Sequence, residues 1–433
     1  MGHFPKPAVG SWTGQYPGLG TGPVNYEDSF DPDHYRREID TIFMKEWLNV
    51  GRVEQVPRVG SFFTKELAFA KRSIVVSRDN DGRVRAFYNV CPHRGNKLVW
   101  NEYPKEETSG LCRQFQCKYH GWRFNLDGSL AYVQQESEFF DLDKASLGLR
   151  EVHCDVWEGF IFVNLSATPE QSLAEALGPY FEGLAGYPFG EMTQTYAVKA
   201  DVNANWKLFI DAFVEFYHAP VLHKAQANQQ EGDRLFNAGF EGLHYELFSP
   251  HSMVSSWGGI APPKHPNMVK PIENILEGGL FGPWKKPDIV EGRGRLAPML
   301  NPSNSPVWGL DSFVVWPNFM ILIWEPGWYM TYNYWPTGPS SHIFESTLNF
   351  VPPRDVQERI AQEFTFSSIK EYVFQDANTL EATQSSLESG VISTFVLNDQ
   401  ELLCRHHHAA ARAQVTAGGR PSEYPWMQSA GRA

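Results

Sequence analysis

Apolar residues along this chain change pattern twice. Behind Asp31 and Pro32, a cap and a residue suited to a first helical turn, apolar positions recur at helical spacing at Ile39, Ile42, Phe43 and Trp47, which predicts a helix through Trp47. Strand-like runs then take over. Ser73 to Ser77 and Val84 to Val90, joined by the Asp79-Asn80-Asp81-Gly82 turn, predict a hairpin that delivers the chain to Cys91. A second tight turn at Phe124 to Gly128 and a buried strand at Gly159 to Leu165 extend this texture, so residues 46–166 read as a small all-β domain. Past Ala167-Thr168-Pro169 the pattern changes again. Gln171 to Leu184 reads as helix, Thr193 to Val202 as an alternating strand, and Phe313 to Trp335 as further strands. Arg354 to Glu388 reads as a long helix carrying Ile360, Phe364, Ile369, Val373 and Leu380. Residues 255–308, rich in Pro and Gly, read as an excursion over a pocket or a lid.

Charge narrows the partners. With 37 Lys and Arg against 50 Asp and Glu, a net charge of −13 argues against a nucleic-acid binder. The longest apolar stretch, Phe313 to Trp324, already holds Pro317 and Asn318 and is far shorter than the roughly 20 residues of a membrane span. The first residues lack the basic-then-apolar layout of a secretory signal, so a cytoplasmic protein is expected. Aromatic residues make up 14%, ample for an aromatic-walled pocket. Five cysteines are too few for a disulfide framework, and two of them stand beside histidines, which points to metal.

Those two lie in Cys91-Pro92-His93 and Cys117-Lys118-Tyr119-His120, each pair on a turn. One thiolate and one imidazole per loop suits a [2Fe–2S] centre with Cys₂ on one iron and His₂ on the other. A structural Cys₂His₂ zinc site uses the same ligands, but zinc fingers keep like ligands together in C-x₂₋₄-C and H-x₃₋₅-H pairs, unlike this spacing. Cys112 is expected to be a structural thiol, and Tyr119 a donor to a cluster or cysteine sulfur.

A second constellation follows. Asn205 to His223 reads as one helix with Asp211, Glu215 and His218 on one face. His223 would stand about 140° round the axis from His218 on an unbroken helix, and Pro220 is expected to swing it back. Two histidines and one carboxylate make the facial triad of a non-haem Fe(II) oxygenase. On spacing alone Glu215 is near enough to be the third ligand.

The flanks Cys-Pro-His-Arg-Gly (91–95) and Cys-Lys-Tyr-His-Gly-Trp-Arg-Phe (117–124), with Asn205-Trp206-Lys207 ahead of the histidine pair, resemble the α subunit of the Rieske non-haem iron ring-hydroxylating oxygenases. The resemblance runs from about residue 26 to about 410. It departs from the family in a longer gap between the Rieske loops, with Asn101 to Gly110 as an extra loop, and in Asp211-Ala212 where many relatives have Glu-Asn.

The resemblance implies an α+β protein. An all-β Rieske [2Fe–2S] domain at residues 46–166 is inserted into a catalytic domain at residues 1–45 and 167–433, built on an antiparallel sheet flanked by helices. Cys91, His93, Cys117 and His120 would hold the cluster, and His218, His223 and Asp376, in Phe374-Gln375-Asp376, the mononuclear Fe(II). Glu215 would be the electron relay between His120 of a neighbouring subunit and His218, with Asp211 behind a ligand histidine. Phe213, Phe216, Leu222, Tyr372 and Val373 are candidate pocket walls. An NAD(P)H-dependent flavin reductase or ferredoxin would supply electrons, because no Gly-rich dinucleotide loop is present. The implied assembly is a homotrimer, with or without a small β subunit. The implied reaction is O₂-dependent ring dihydroxylation of an aromatic or other hydrophobic substrate, or monooxygenation or O-/N-demethylation on the same scaffold; an electron-transfer-only Rieske protein is a remoter alternative. Arg405 to His408 is expected to close a helix near its C-terminal end.

Overall fold

The computed structural model describes residues 8–223, 242–256, 271–279, 281–291, 297–306 and 308–427. The chain divides into two compact units, Phe43–Ala176 and Met1–Ile42 with Leu177–Ala433.

In the inserted unit, strands β1 (Trp47–Arg52), β2 (Ser61–Leu67), β3 (Arg72–Arg78), β4 (Val84–Tyr88), β5 (Ser109–Leu111), β9 (Glu151–Trp157) and β10 (Phe160–Asn164) form one antiparallel sheet in the order β1-β10-β9-β4-β3-β2-β5. The expected hairpin is β3 and β4, and Gly82 takes a positive φ in its turn. A three-stranded sheet of β6 (Phe115–Gln116), β7 (Arg123–Phe124) and β8 (Leu130–Tyr132) carries the second cysteine loop. Phe87, Leu98, Phe115, Trp122 and Phe124 pack around Cys91 and Cys117 in one apolar cluster. The helix expected to reach Trp47 stops earlier. Asp31 caps it by accepting the Asp33 N–H, α1 spans Pro32–Glu38, a wider turn runs to Phe43, and Trp47 opens β1. Trp47 to Val50 are all buried and Trp47, Leu48 and Asn49 pair with β10, so sheet formation overrides the helical spacing.

The other unit is built on a seven-stranded antiparallel sheet. Its strands are β11 (Gln194–Val202), β12 (Gly242–Phe248), β13 (His251–Ser256), β14 (Leu310–Val315), β15 (Phe319–Trp324), β16 (Trp328–Gly338) and β17 (Ser341–Phe350), in the order β11-β17-β16-β15-β14-β13-β12. Every residue of β14 and β15 is buried, as expected for central strands covered on both faces. Tyr332 of β16 and Phe344 of β17 meet Phe213 at 4.7 and 6.0 Å between ring centroids, which fixes the face that carries the site.

Three segments differ from what the sequence predicts. Asn205 to His223 is not one helix: α2 spans Trp206–Asp211, residues 212–218 are non-helical, and α3 spans Ala219–Leu222 with Pro220 in its first turn. The break precedes Pro220 because the Glu215 carboxylate accepts the backbone N–H groups of Tyr217 and His218, a local alternative to the helical ladder. Gln171 to Leu184 is likewise two short helices, parted at Gly178 with φ +53°. His406, His407 and His408 do not close a helix. They lie buried in the first half of the helix Leu402–Ala417, held by Ser249, Ser252 and Asp211.

The long helix, α4 (Val356–Glu388), is capped by Asp355 and buries Ile369, Val373, Asp376, Gln384 and Leu387 along one face. We label the following helix, Leu402–Ala417, α5. Much of the 255–308 excursion lies outside the described residues; inside them it contains a short hairpin, Gly278–Gly279 with Gly282–Pro283. No helix among the described residues is long and apolar enough to cross a membrane.

Candidate functional site

The two Cys/His loops repeat one turn. The Gly95 N–H donates to the Cys91 carbonyl at 3.0 Å and the Cys91 N–H to the Asn96 carbonyl at 2.8 Å. The Gly121 N–H donates to the Cys117 carbonyl at 3.0 Å and the Cys117 N–H to the Trp122 carbonyl at 2.9 Å. Gly95 and Gly121 take φ of +72° and +71°, the left-handed conformation that closes each turn and that glycine adopts without strain. The repeat sorts the side chains by type. Cys91 and Cys117 are buried together, and burial followed by its neighbour thiol pushes Cys91 up to about 11. The His93 and His120 rings stand together at 4.6 Å, and His93 stacks on Trp122 at 4.7 Å. Burial and then the second imidazole hold His93 below its ordinary range. Paired free thiols on one side and paired imidazoles on the other fit a Cys₂His₂ [2Fe–2S] cluster. Tyr119 is exposed and leans on His120 at 3.7 Å; the described contact to a cysteine sulfur comes instead from the Asn96 amide, 3.7 Å from Cys117 Sγ. Cys112 is half-buried and packs against the apolar cluster that holds this pair, its thiol pushed up to about 11 by burial.

In the other unit, His218 and His223 cap the two ends of α3 and meet Asp376 of α4. The Nε2 atoms of His218 and His223 lie 3.5 and 3.2 Å from Asp376 Oδ1, and one ligand atom from each residue falls within 4.8 Å of the others. Both Nε2 atoms and both Asp376 oxygens are buried without a hydrogen-bond partner among the described residues. Such a cost is borne when a metal is the missing partner. The far side of each ring is engaged. His223 Nδ1–H donates to Gln375 Oε1 at 2.9 Å, and since an amide oxygen only accepts, this tautomer leaves the Nε2 lone pair free. His218 Nδ1–H donates to the Glu215 carboxylate. Burial raises the Asp376 carboxyl above its ordinary range against the opposing pull of the two histidines. Two imidazoles and one carboxylate at this distance fit a facial non-haem iron site.

Asp211, expected behind a ligand histidine, is engaged elsewhere. It accepts from the Tyr26 hydroxyl at 2.8 Å and meets His408 Nε2 at 3.1 Å, because α2 ends there and turns it toward α5. Gln375 and Glu215 are the residues that hold the ligand rings. Gln375 adjoins Asp376 in sequence, but nothing in its spacing marks it as the partner of a histidine 152 residues away.

A cavity of about 40 Å³ opens beside this triad. Phe213, Phe216, Phe281, Trp324, Tyr332 and Tyr372 are aromatic walls, and Glu215 is the charged side chain among the described lining residues. Tyr372 also stacks on His223 at 3.3 Å. Leu222 and Val373, two of the expected walls, are not among the lining residues: Val373 is packed inside along the buried face of α4. A larger cavity of about 200 Å³ lies against Trp328, Phe350 and Gln362. It belongs to a different part of the unit, since Gln362 is roughly 20 Å along α4 from Asp376.

Comparison with known proteins agrees with both halves of this picture. Residues 189–417 match the family model described as ring hydroxylating alpha subunit (catalytic domain), and residues 46–149 the Rieske [2Fe-2S] domain. A chloroplastic choline monooxygenase of Beta vulgaris is 33% identical over 208 residues, 47% of this chain and 45% of that protein. The carnitine monooxygenase oxygenase subunit of Escherichia coli (strain K12) is 29% identical over 230 residues, 51% of this chain and 58% of that one. The large oxygenase component of a Pseudomonas aeruginosa naphthalene 1,2-dioxygenase system is 32% identical over 215 residues, 48% and 45% of the two chains. The matched stretch thus spans about half the length of these curated relatives. Among solved structures, naphthalene 1,2-dioxygenase from Rhodococcus sp. has a TM-score of 0.70 at 19% identity, covering 94% of this chain and 97% of that one. A quaternary ammonium Rieske monooxygenase has a TM-score of 0.69 at 18% identity, covering 92% and 96%. These two likenesses show the fold.

Proposed function

The chain belongs to the ring hydroxylating alpha subunit family and carries a Rieske [2Fe–2S] domain, and on that premise we propose that it is the terminal oxygenase of a Rieske system that hydroxylates a small substrate presenting an apolar or methylated-ammonium group. Cys91, His93, Cys117 and His120 hold the cluster, and His218, His223 and Asp376 hold the iron. Bound there, the cluster stores and passes single electrons and the Fe(II) supplies O₂ activation, chemistry that no side chain provides. Insertion of one oxygen into a C–H bond consumes O₂, two electrons and two protons and releases water, the electrons coming from a flavin reductase directly or through a ferredoxin.

The residues do the rest. Gln375 and Glu215 fix the tautomers and planes of His223 and His218, keeping both Nε2 atoms aimed at one point. Glu215 is the electron relay, set against His120 of the partner subunit in a cyclic homotrimer that has no need of a β subunit. The aromatic walls exclude water and orient the substrate.

The cavity is the observation that carries the substrate class. Its rings offer negative faces, and among the described lining residues the charged group is an acid, which favours a cationic or neutral group over an anionic one. The choline and carnitine monooxygenase relatives support single-oxygen insertion. A second reading, ring dihydroxylation of an arene, is favoured by the same flat walls and by the naphthalene dioxygenase relative. One single turnover of the reduced protein under ¹⁸O₂, with a panel of alkylammonium compounds, aryl ethers and arenes, separates them by mass spectrometry. One labelled oxygen, or a lost methyl group, is the expected result; two labels in an arene product would establish the second reading.

A further inference from the structure

Most buried tryptophans of the catalytic unit have an acceptor for the indole N–H. Trp206 donates to Glu38 at 3.1 Å, Trp316 to Gln414 at 2.9 Å, Trp328 to the Phe281 carbonyl at 2.8 Å and Trp335 to Glu345 at 2.9 Å. Trp324 differs. It is 6% exposed, it lines the cavity beside the iron ligands, and its Nε1 is buried with no acceptor among the described residues. One neighbour, Trp328, stacks on it at 5.2 Å and 5°, with its own N–H engaged; Phe281 packs at 5.3 Å. Neither ring can accept a conventional hydrogen bond from it. A buried donor left unpaired is an unfavourable arrangement that a cavity can relieve by admitting an acceptor.

Strand register gives the position of this donor. On one face of the sheet, Leu322 stands opposite Met330 and Met320 opposite Tyr332, while Trp324 lies opposite Trp328 and Leu310. Tyr332 marks the end near the triad: it meets Phe213 at 4.7 Å, and burial followed by the Asp376 charge raises its phenol well above the ordinary range. Four residues of β15 separate its row from that of Trp324, roughly 13 Å along the strand. Hence the cavity has a reactive end at Tyr332, Tyr372 and Glu215 and a distal end at Trp324, Leu310 and Phe281.

We propose that the Trp324 indole N–H is the substrate-recognition donor of this site, binding a neutral oxygen acceptor (hydroxyl, ether or carbonyl) at the end of the substrate remote from the iron. Leu310 and Phe281 beside it provide no cation to neutralise a carboxylate, which is why the acceptor is neutral. The inference rests on the proposed function only in taking this cavity as the substrate site. It narrows the substrate to a molecule with an apolar or methylated-ammonium group at one end and a single acceptor at the other. It also gives orientation: the hydrogen bond anchors the unreactive end and presents the other to the triad.

Binding of isosteric pairs to the holoenzyme, followed by calorimetry, tests this. Choline is compared with propyltrimethylammonium, in which a methyl replaces the hydroxyl, and acetophenone with α-methylstyrene, in which =CH₂ replaces the carbonyl oxygen. In the wild type the acceptor-bearing member of a pair is expected to bind about fivefold to tenfold more tightly, the effect of one neutral hydrogen bond. Trp324→Phe keeps a ring and removes the N–H, so the preference should fall to about one. Trp324→His restores a ring donor and should recover part of it, which guards against a general loss of shape. If only the arene pair binds and shows the Trp324-dependent preference, the ammonium reading fails and the assignment of Trp324 stands. If a pair binds without preference, or with one that survives Trp324→Phe, the assignment is overturned while the substrate reading survives. Binding by none of the four probes would overturn both.

Discussion

His218 and His223 are held by the same device with different partners, and the difference is testable. Gln375 offers one neutral oxygen to His223 Nδ1–H, whereas Glu215 offers a carboxylate to His218 and also closes the 212–218 turn through two backbone N–H groups. Gln375→Leu leaves His223 free to rotate and change tautomer, so iron affinity should fall about 10- to 100-fold while the Rieske absorption is unchanged; iron analysis after dialysis against a chelator measures it. Glu215→Gln retains an acceptor for His218 and should keep both metal centres. It removes the charge of the proposed electron relay, so reoxidation of the reduced cluster in single turnover should slow by more than about tenfold. Unaltered reoxidation would remove Glu215 from the electron route. Neither Gln375 nor the unpaired Trp324 N–H was legible in the sequence. Each acquires its role from a partner or a cavity that only the fold assembles, 152 residues away in the case of Gln375.

Elements were legible where local pattern and tertiary demand agree. The β3–β4 hairpin followed from alternation and a Gly turn, and α4 from its apolar spacing and its cap. They were misread where tertiary structure prevails: Trp47 joined a sheet, and the 205–223 segment broke because Glu215 captured the N–H groups that a helix would use. The histidine run of α5 looked like a cationic helix end, yet its rings are buried at 0–1% exposure. α1 and α2 are joined by an ion pair with no exposure on either partner, Glu38 with Lys207, which His34 approaches at 3.3 Å. Burial pushes the Glu38 carboxyl up, but Lys207 and His34 outweigh it and hold it below the ordinary carboxylate range. A group whose folded pKa is depressed contributes stability above its unfolded pKa and loses it as pH falls through the folded one. Thermal unfolding should therefore show wild-type stability declining below the ordinary carboxylate range. Glu38→Gln should be destabilised at neutral pH by about 3–5 kcal/mol, because Lys207 is left buried and unpaired, and should show a shallower acid decline.

At the scale of the whole molecule, the two units divide the chemistry: one gathers two thiols and two imidazoles, the other two imidazoles and a carboxylate. That division was the most legible feature of the sequence, since each ligand set except Asp376 sits within a short motif, and Asp376 followed from family resemblance alone. The pocket was the least legible, because its walls come from the 212–218 turn, the Phe281 segment, three strands and α4. Two separate centres built from these residues should come apart when one ligand set is broken. Iron and acid-labile sulfide per chain, measured on the wild type and on Asp376→Ala, test it most directly. About three irons and two sulfides are expected in the wild type, and about two of each in the variant with the red-brown Rieske spectrum intact. About two irons in both proteins, or loss of the Rieske spectrum in Asp376→Ala, would contradict it.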